Sequence, residues 1–359
     1  MRVAISTGGG DAPGLNAVIR AAVLAAATRG WTTYGIQRGY DGLLKFDGVV
    51  PLGPAEVRGI MHLGGTVLGT SNRGNPFRYV VQEADGTMRE VDRSRELVAA
   101  FRASGFDALI SIGGEGSLEI AGRLSAMGLP VVGVPKTIDN DVAGTERTFG
   151  FDTAVANATD ALDKLHSTAE SHERVMVVEV MGRYAGWIAL HAGISGGADA
   201  ILIPEIPFDI ERVCAKIRER DARGRRFSIV VVAEGAKPVG GEVTLVERRA
   251  AGTVDRLGGI ANRVAQAVAE GTGKEVRTLV LGHLLRGGSP TTYDRLLAQR
   301  FGAAAIRAIA DGAFGHMVAL ECGTIVRRPL AEVTGRTRFV PLDADAVATA
   351  RDLGIALGD

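Results

Sequence analysis

Short continuous apolar runs recur along the chain. They alternate with stretches in which apolar residues return every three or four positions. The runs at 2–6, 33–37, 108–112, 131–134, 175–180, 200–203, 229–233 and 278–281 are rich in Val, Ile and Leu, and they predict strands buried on both faces, as at the centre of a parallel sheet. The helical pattern predicts helices over 14–27, 93–104, 117–126, 153–167, 185–192, 210–222, 259–270 and 295–310. Strand–helix alternation along the whole length predicts an α/β protein of two doubly wound parallel-sheet domains. No repeat of 20–50 residues and no low-complexity linker interrupts it. Segments 82–91 and 236–253, polar and marked by Asp85-Gly86 and Gly240-Gly241, read as surface elaborations.

Composition narrows the function classes. A length of 359 residues fits two domains. Lys plus Arg total 41 and Asp plus Glu total 41, so a general basic face for nucleic acid is not expected. Two cysteines, Cys214 and Cys322, make neither a disulfide framework nor a four-thiolate zinc site, and they read as two small buried residues. The first residues lead straight into a strand and glycines without a signal-peptide h-region, and no apolar run is long enough to span a bilayer. A cytoplasmic protein with no membrane partner is expected. The 49 glycines exceed the usual share about twofold, so where they cluster matters.

Three clusters stand at predicted strand ends. Ser6-Thr7-Gly8-Gly9-Gly10-Asp11-Ala12-Pro13-Gly14 joins the first strand to the first helix, where backbone N–H groups and a helix N-terminus suit phosphate. It is neither a Walker A loop nor a clean GxGxxG, and alone it reads equally well as a plain turn. Ser111-Ile112-Gly113-Gly114-Glu115-Gly116-Ser117 repeats that context and adds a carboxylate suited to magnesium. The bland account makes Ser117 a helix cap and Glu115 a residue that favours the dipole. Pro135-Lys136-Thr137-Ile138-Asp139-Asn140-Asp141 places two aspartates where one could accept a hydroxyl proton; an Asx-rich turn is the commoner use of such a sequence. Arg73, Arg174, Arg183, Arg277 and Arg286 also fall near predicted strand ends. Arginine's planar fork suits phosphate monoesters, although each one alone reads as a surface ion-pair residue.

Taken together, these segments resemble the 6-phosphofructokinase family. The resemblance rests on Gly9-Gly10-Asp11-Ala12-Pro13-Gly14-Leu15-Asn16, Gly113-Gly114-Glu115-Gly116-Ser117, Lys136-Thr137-Ile138-Asp139-Asn140-Asp141, Met181-Gly182-Arg183-Tyr184-Ala185-Gly186 and Gly282-His283-Leu284-Leu285-Arg286-Gly287-Gly288-Ser289-Pro290, in family order. It implies Mg2+-dependent transfer of the ATP γ-phosphoryl group to the 1-hydroxyl of fructose 6-phosphate, in the cleft between the two domains. One domain is expected from 1–149 plus 284–334, for the donor. The other is expected from 150–283 plus 335–359, for the sugar phosphate.

By the same resemblance Asp139 is the general base, Thr137 is a catalytic neighbour that contacts the substrate together with Ile138, and Asp141 is the second catalytic aspartate of that loop. Arg183 lies near the transferring group, and Met181 and Gly182 line the sugar site. Glu234 holds sugar hydroxyls. His283, Leu284, Leu285 and Arg286 bind at the 6-phosphate, which Arg174 and Arg277 reach from a neighbouring subunit of a homodimer or homotetramer. Gly10, Arg73, Gly74, Gly114, Gly116, Ser117 and Lys136 take the donor, and Glu115 holds the metal. The last 40 or so residues match no family segment.

Departures from the family pattern bear on donor and regulation. Lys136 stands where strictly ATP-using bacterial members carry glycine, and it resembles pyrophosphate-using and mixed-substrate members. Gly116 stands where pyrophosphate users carry an aspartate that would repel the α-phosphate of ATP. An absent block outweighs an added attraction, so ATP is expected, with pyrophosphate second. Glu115, Lys136 and segment 236–253 all resemble the mixed-substrate branch. Leu24, Leu63 and His166 replace arginines of the bacterial effector site, so little response to phosphoenolpyruvate or ADP is expected. A lipid or NAD kinase accounts for the glycine loop but not for the arginines or the aspartate pair, and a dehydrogenase needs a different first turn. A nucleotide- or sugar-phosphate-sensing subunit on an inactive scaffold is the non-enzyme alternative.

Overall fold

The computed structural model describes all residues except 46–47, 72–73, 84–85 and 248–255. In chain order the elements are β1 (Arg2–Thr7), α1 (Leu15–Ala27), β2 (Thr32–Ile36), α2 (Asp41–Leu44), β3 (Val49–Leu52), β4 (Tyr79–Gln82), β5 (Met88–Val91), α3 (Ser94–Ala103), β6 (Ala108–Gly113), α4 (Glu115–Ala126), β7 (Val131–Thr137), β8 (Phe149–Gly150) and α5 (Phe151–Ser171). Then come β9 (Val175–Val180), α6 (Trp187–Ser195), β10 (Ala200–Leu202), α7 (Ile210–Ala222), β11 (Ser228–Ala233), β12 (Leu245–Glu247), β13 (Arg256–Leu257), α8 (Ile260–Thr272), β14 (Val276–Val280), α9 (Thr292–Ala310), β15 (His316–Glu321), β16 (Thr324–Pro329), α10 (Leu330–Val333) and α11 (Asp345–Asp352). A 3-10 turn, Gly282–Arg286, precedes α9.

The chain forms two compact units. The first is Met1–Ile138, Val142–Asp152 and Arg286–Arg336; the second is Asp139–Asp141, Thr153–Leu285 and Thr337–Asp359. The first unit holds a sheet in the order β16-β15-β7-β6-β1-β2-β3, with β8 against β7. Its central pairs are parallel, whereas β2–β3 and β15–β16 are antiparallel edges. Alternation along the central strands sorts the core. Val3, Ile5, Ile110, Ile112, Val132 and Val134 pack with α1 and α9. Ala4, Leu109 and Val131 pack with α3 and α4 on the opposite face. Period two in a strand with helices on both sides is the doubly wound arrangement.

The second unit holds a parallel sheet in the order β10-β11-β9-β14. Val175, Val177, Val230 and Val232 meet Val213 and Ile217 of α7 and Val264 and Val268 of α8. Strand β14 is an edge, and its Arg277, Thr278 and Val280 are exposed, unlike the buried strand expected at 278–281. Cys214 is buried as expected, but Cys322 is exposed, because it sits in the tight turn joining β15 to β16. Within segment 236–253, residues 248–253 lie outside the described residues.

Candidate active site

The first glycine loop leaves β1 and is pinned by its own backbone. Gly8 N–H donates to Ile112 O at 2.9 Å and Gly9 N–H to Ser71 O at 3.3 Å. Three successive carbonyls of this loop accept from side chains. Thr70 Oγ1 donates to Gly9 O at 2.5 Å. Lys136 Nζ donates to Gly10 O, and Arg286 Nη1 donates to Asp11 O at 3.0 Å. Carbonyl oxygens repel phosphate, and each of these is occupied by a donor, two of them cationic. Lys136 is buried at 3% exposure, so its charge is delivered to this loop from β7.

The second loop begins α4 earlier than expected, at Glu115 with Gly114 as N-cap. Ser117 is therefore not the cap. Its side chain packs where a Cβ on Gly8 or Gly113 would stand, at 2.8 and 2.2 Å, so both positions require glycine. Gly116 differs, since an added Cβ there meets nothing within 4 Å. Glu115 Oε1 accepts from Gly335 N–H at 3.0 Å. Gly74 lies beside Ser71 and Asp41, while Arg73 lies outside the described residues.

Strand β7 runs three residues beyond the expected end. Pro135 pairs with Gly113, and Lys136 and Thr137 pair with Phe149 and Gly150 of β8. Thr137 O also accepts from Thr148 Oγ1 at 2.8 Å. The extra pairing escapes a reading of apolar runs, because Pro135 and Lys136 break the pattern. Ile138 is fully buried, and Asn140, 2% exposed, takes a left-handed conformation with φ 53°. Asp139 and Asp141 flank it, each half-buried.

In the second unit, Met181, Gly182 and Arg183 follow β9. Gly235 N–H donates to Gly182 O at 3.1 Å, and Glu234 N–H to Val180 O at 2.9 Å, which brings Glu234 beside this segment. Arg183 lies 5.7 Å from the Tyr184 ring centroid. The segment ends at Gly186, whose N–H donates to both Glu205 oxygens at 3.0 and 3.1 Å. Burial holds the Glu205 carboxyl above the usual carboxylate range.

Arg174 Nε pairs with Glu275 Oε2 at 2.8 Å, and Arg277 pairs with the other oxygen. His283, Leu284 and Leu285 lie in the 3-10 turn, with Leu284 O accepting from Asn157 Nδ2 at 3.4 Å. Leu284 is exposed and Leu285 buried. Arg286, read from sequence with His283, belongs to the first unit and lies on Gly10 and Asp11.

The structure thus gathers Gly10, Lys136 and Arg286 around one loop, and Gly182, Arg183 and Glu234 around another. Sequence reasoning missed Thr70, Glu205 and Arg338. Thr70 had a signal, since it stands beside Ser71-Asn72-Arg73. Among the described residues no three His, Cys, Asp or Glu side chains group to hold a metal by themselves. No helix among them is long and apolar enough to cross a membrane.

Comparison with known proteins follows the same lines. A family model described as phosphofructokinase matches residues 2–309. An ATP-dependent 6-phosphofructokinase of Chloroflexus aggregans is 54% identical over 358 residues, covering 100% of this chain and 98% of that one. A pyrophosphate–fructose 6-phosphate 1-phosphotransferase of Amycolatopsis methanolica is 53% identical over 344 residues, 95% of this chain and 96% of that one. The solved T-state phosphofructokinase of Pichia pastoris matches with a TM-score of 0.80 and 32% identity over 92% of this chain. This chain spans 35% of that chain's length.

Proposed function

The chain belongs to the phosphofructokinase family, and we propose that it transfers the γ-phosphoryl group of ATP to the 1-hydroxyl of fructose 6-phosphate. One relative named for ATP and one named for pyrophosphate are nearly equally identical to it, at 54% and 53%, so overall similarity does not choose the donor. The observation that carries ATP is the open space at Gly116 in the first turn of α4. A larger donor has room there, and no carboxylate stands at that position to repel it. Lys136 is the sequence feature that favours pyrophosphate, yet its ammonium donates to Gly10 O. That contact gives it work on the loop with either donor.

In this reading the first unit takes the donor through Gly10, Arg73, Gly74, Gly114, Gly116, Ser117 and Lys136. The second takes the sugar phosphate through Met181, Gly182, Arg183, Glu234, His283, Leu284 and Leu285, and the family resemblance adds Thr137 and Ile138, which precede Asp139 in the chain. The family resemblance assigns Arg286, whose Nη1 donates to Asp11 O, to the 6-phosphate. Phosphoryl transfer asks little covalent work of a protein; alignment and charge neutralisation carry it. Asp139 accepts the proton of the attacking hydroxyl, Asp141 orients the loop, and Arg183 offsets charge on the transferring oxygens. Glu115 would hold a magnesium ion together with donor phosphate oxygens, a common arrangement of one carboxylate plus substrate. Magnesium bound there supplies neutralisation of phosphoryl charge.

Arg174 and Arg277 support a homodimer or homotetramer with shared sites, and the family resemblance supports a cytoplasmic enzyme. An aldolase-coupled assay with fructose 6-phosphate, magnesium and either ATP or pyrophosphate tests the whole reading. Faster turnover with ATP is expected. Preference for pyrophosphate would reverse the donor, and activity with neither would favour a sensing subunit.

A further inference from the structure

The C-terminal segment around Arg338 lies beyond residues 2–309, which the family model matches, yet it is hydrogen-bonded to the aspartate loop. Arg338 N–H donates to Asp141 O at 2.8 Å, and Arg338 Nη1 donates to Asn140 O at 3.1 Å. One residue therefore holds the peptide groups on both sides of Asp141. Between the two aspartates, Asn140 is buried and left-handed. Asparagine tolerates that conformation, but it persists only where the surroundings fix it.

Arg338 is itself fixed. Its guanidinium stands 4.2 Å from the Trp187 ring centroid, a cation–π geometry. Trp187 Nε1 donates back to Arg338 O at 2.9 Å. Trp187 opens α6 directly after the segment carrying Arg183. Two residues beyond Arg338, Val340 N–H donates to Glu205 Oε1 at 2.8 Å. Glu205 is the carboxylate that also holds Gly186. Segment 338–340 thus ties the aspartate loop to the end of segment 181–186, directly through Trp187 and by way of Glu205.

We propose that Arg338 is a positioning residue of the phosphoryl-transfer reaction: it sets the aspartate loop, and hence Asp139, in the geometry that accepts the hydroxyl proton. The inference rests on the reading of Asp139 as the base. A general base must lie within hydrogen-bond reach of the proton it takes. A loss of alignment of about 1 Å costs on the order of 100-fold in rate. Loosening the loop lowers turnover, whereas the donor, bound by other residues, is held as before.

Steady-state kinetics of the wild type, Arg338→Met and Arg338→Lys test this, with fructose 6-phosphate, magnesium and the better donor. Methionine keeps an unbranched stem over the indole and removes the guanidinium donors. The expected result for Arg338→Met is a kcat lower by about 10- to 100-fold with both KM values within about threefold. Arg338→Lys, which keeps a charged donor, should recover part of the loss. Wild-type kcat in a folded Arg338→Met would overturn the proposal, as would a raised KM at preserved kcat. If Arg338→Met does not fold, Arg338→Lys and Trp187→Phe carry the test. Each should lose kcat at unchanged KM, and wild-type kcat in both would be fatal to the idea. A wild type inactive with both donors defeats the phosphoryl-transfer reading and this inference with it. An active wild type with an indifferent Arg338 defeats this inference alone.

Discussion

Asp139 stands between a fully buried Ile138 and a buried, left-handed Asn140. Its backbone is therefore set from both sides before any substrate arrives. A carboxylate so placed can accept a proton without first being ordered, and that saving is what general-base catalysis needs. Asp139→Asn keeps the side-chain shape and removes the basicity. It should lower kcat by about 10²- to 10⁴-fold while calorimetry still finds fructose 6-phosphate bound near wild-type affinity. Wild-type turnover in the folded variant would remove Asp139 from the base role. Gly116 presents the converse case, a position that matters for what it lacks. An added side chain there meets open space, and the site is in the first turn of α4, where a carboxylate suits the helix dipole. Gly116→Asp should therefore fold with an unchanged Tm. In the coupled assay it should lose kcat/KM for ATP by about tenfold or more, the effect of an unfavourable charge of 1.4 kcal/mol, and lose less for pyrophosphate. Equal losses would show that this loop does not choose the donor.

At the scale of elements, the loops at strand ends are joined by carboxylates and carbonyls as much as by packing. Glu205 is the clearest case, since it accepts from Gly186 before α6 and from Val340 in the C-terminal segment. Burial raises its proton affinity, and the hydrogen bonds from Val340, Gly186 and its own backbone act the other way without cancelling it. The folded chain therefore binds this proton more tightly than the unfolded chain does. Its contribution to stability is full below the ordinary carboxylate pKa and is lost as pH rises through the raised one. Glu205→Gln retains an acceptor oxygen and removes the titration. Melting temperature plotted against pH should fall less steeply for the variant across that window, and parallel curves would show that Glu205 does not titrate there.

What the sequence disclosed follows the same physical lines. The central strands β1, β6, β9 and β11 were legible because both their faces are buried along nearly their whole length, so most of their residues are apolar. The hairpin of β15 and β16 was not, because β16 is an edge strand carrying Arg327 and Arg328. The glycine loops were legible through their composition. Arg338 was not, since a lone arginine in a polar tail carries no period, and its partners lie about 150 and 200 positions away in the chain.

At the scale of the whole molecule, the two arginines at Glu275 carry the question of assembly. Arg174, just before β9, and Arg277, on the exposed edge strand β14, meet opposite oxygens of one carboxylate. The hydrogen bond from Arg174 holds the Glu275 carboxyl below its usual range. Two guanidinium groups converging on a surface carboxylate form a site at which a phosphate dianion competes well, because it offers a second charge and a matching fork of oxygens. If that phosphate belongs to the sugar bound by another subunit, a defect in Arg174 and a defect in Asp139 fall on different sites of a mixed oligomer. Arg174→Ala and Asp139→Asn, each nearly inactive alone, should then regain activity when the two are dissociated together and allowed to reassemble. In a dimer half of the molecules are mixed and each carries one intact site, so recovery should approach about a quarter of wild-type activity. Were each site built within a single subunit, every site of the mixed dimer would carry one of the two defects and no activity would return. No recovery on reassembly, with mixed oligomers demonstrated by mass, would place every ligand of the sugar phosphate on one chain.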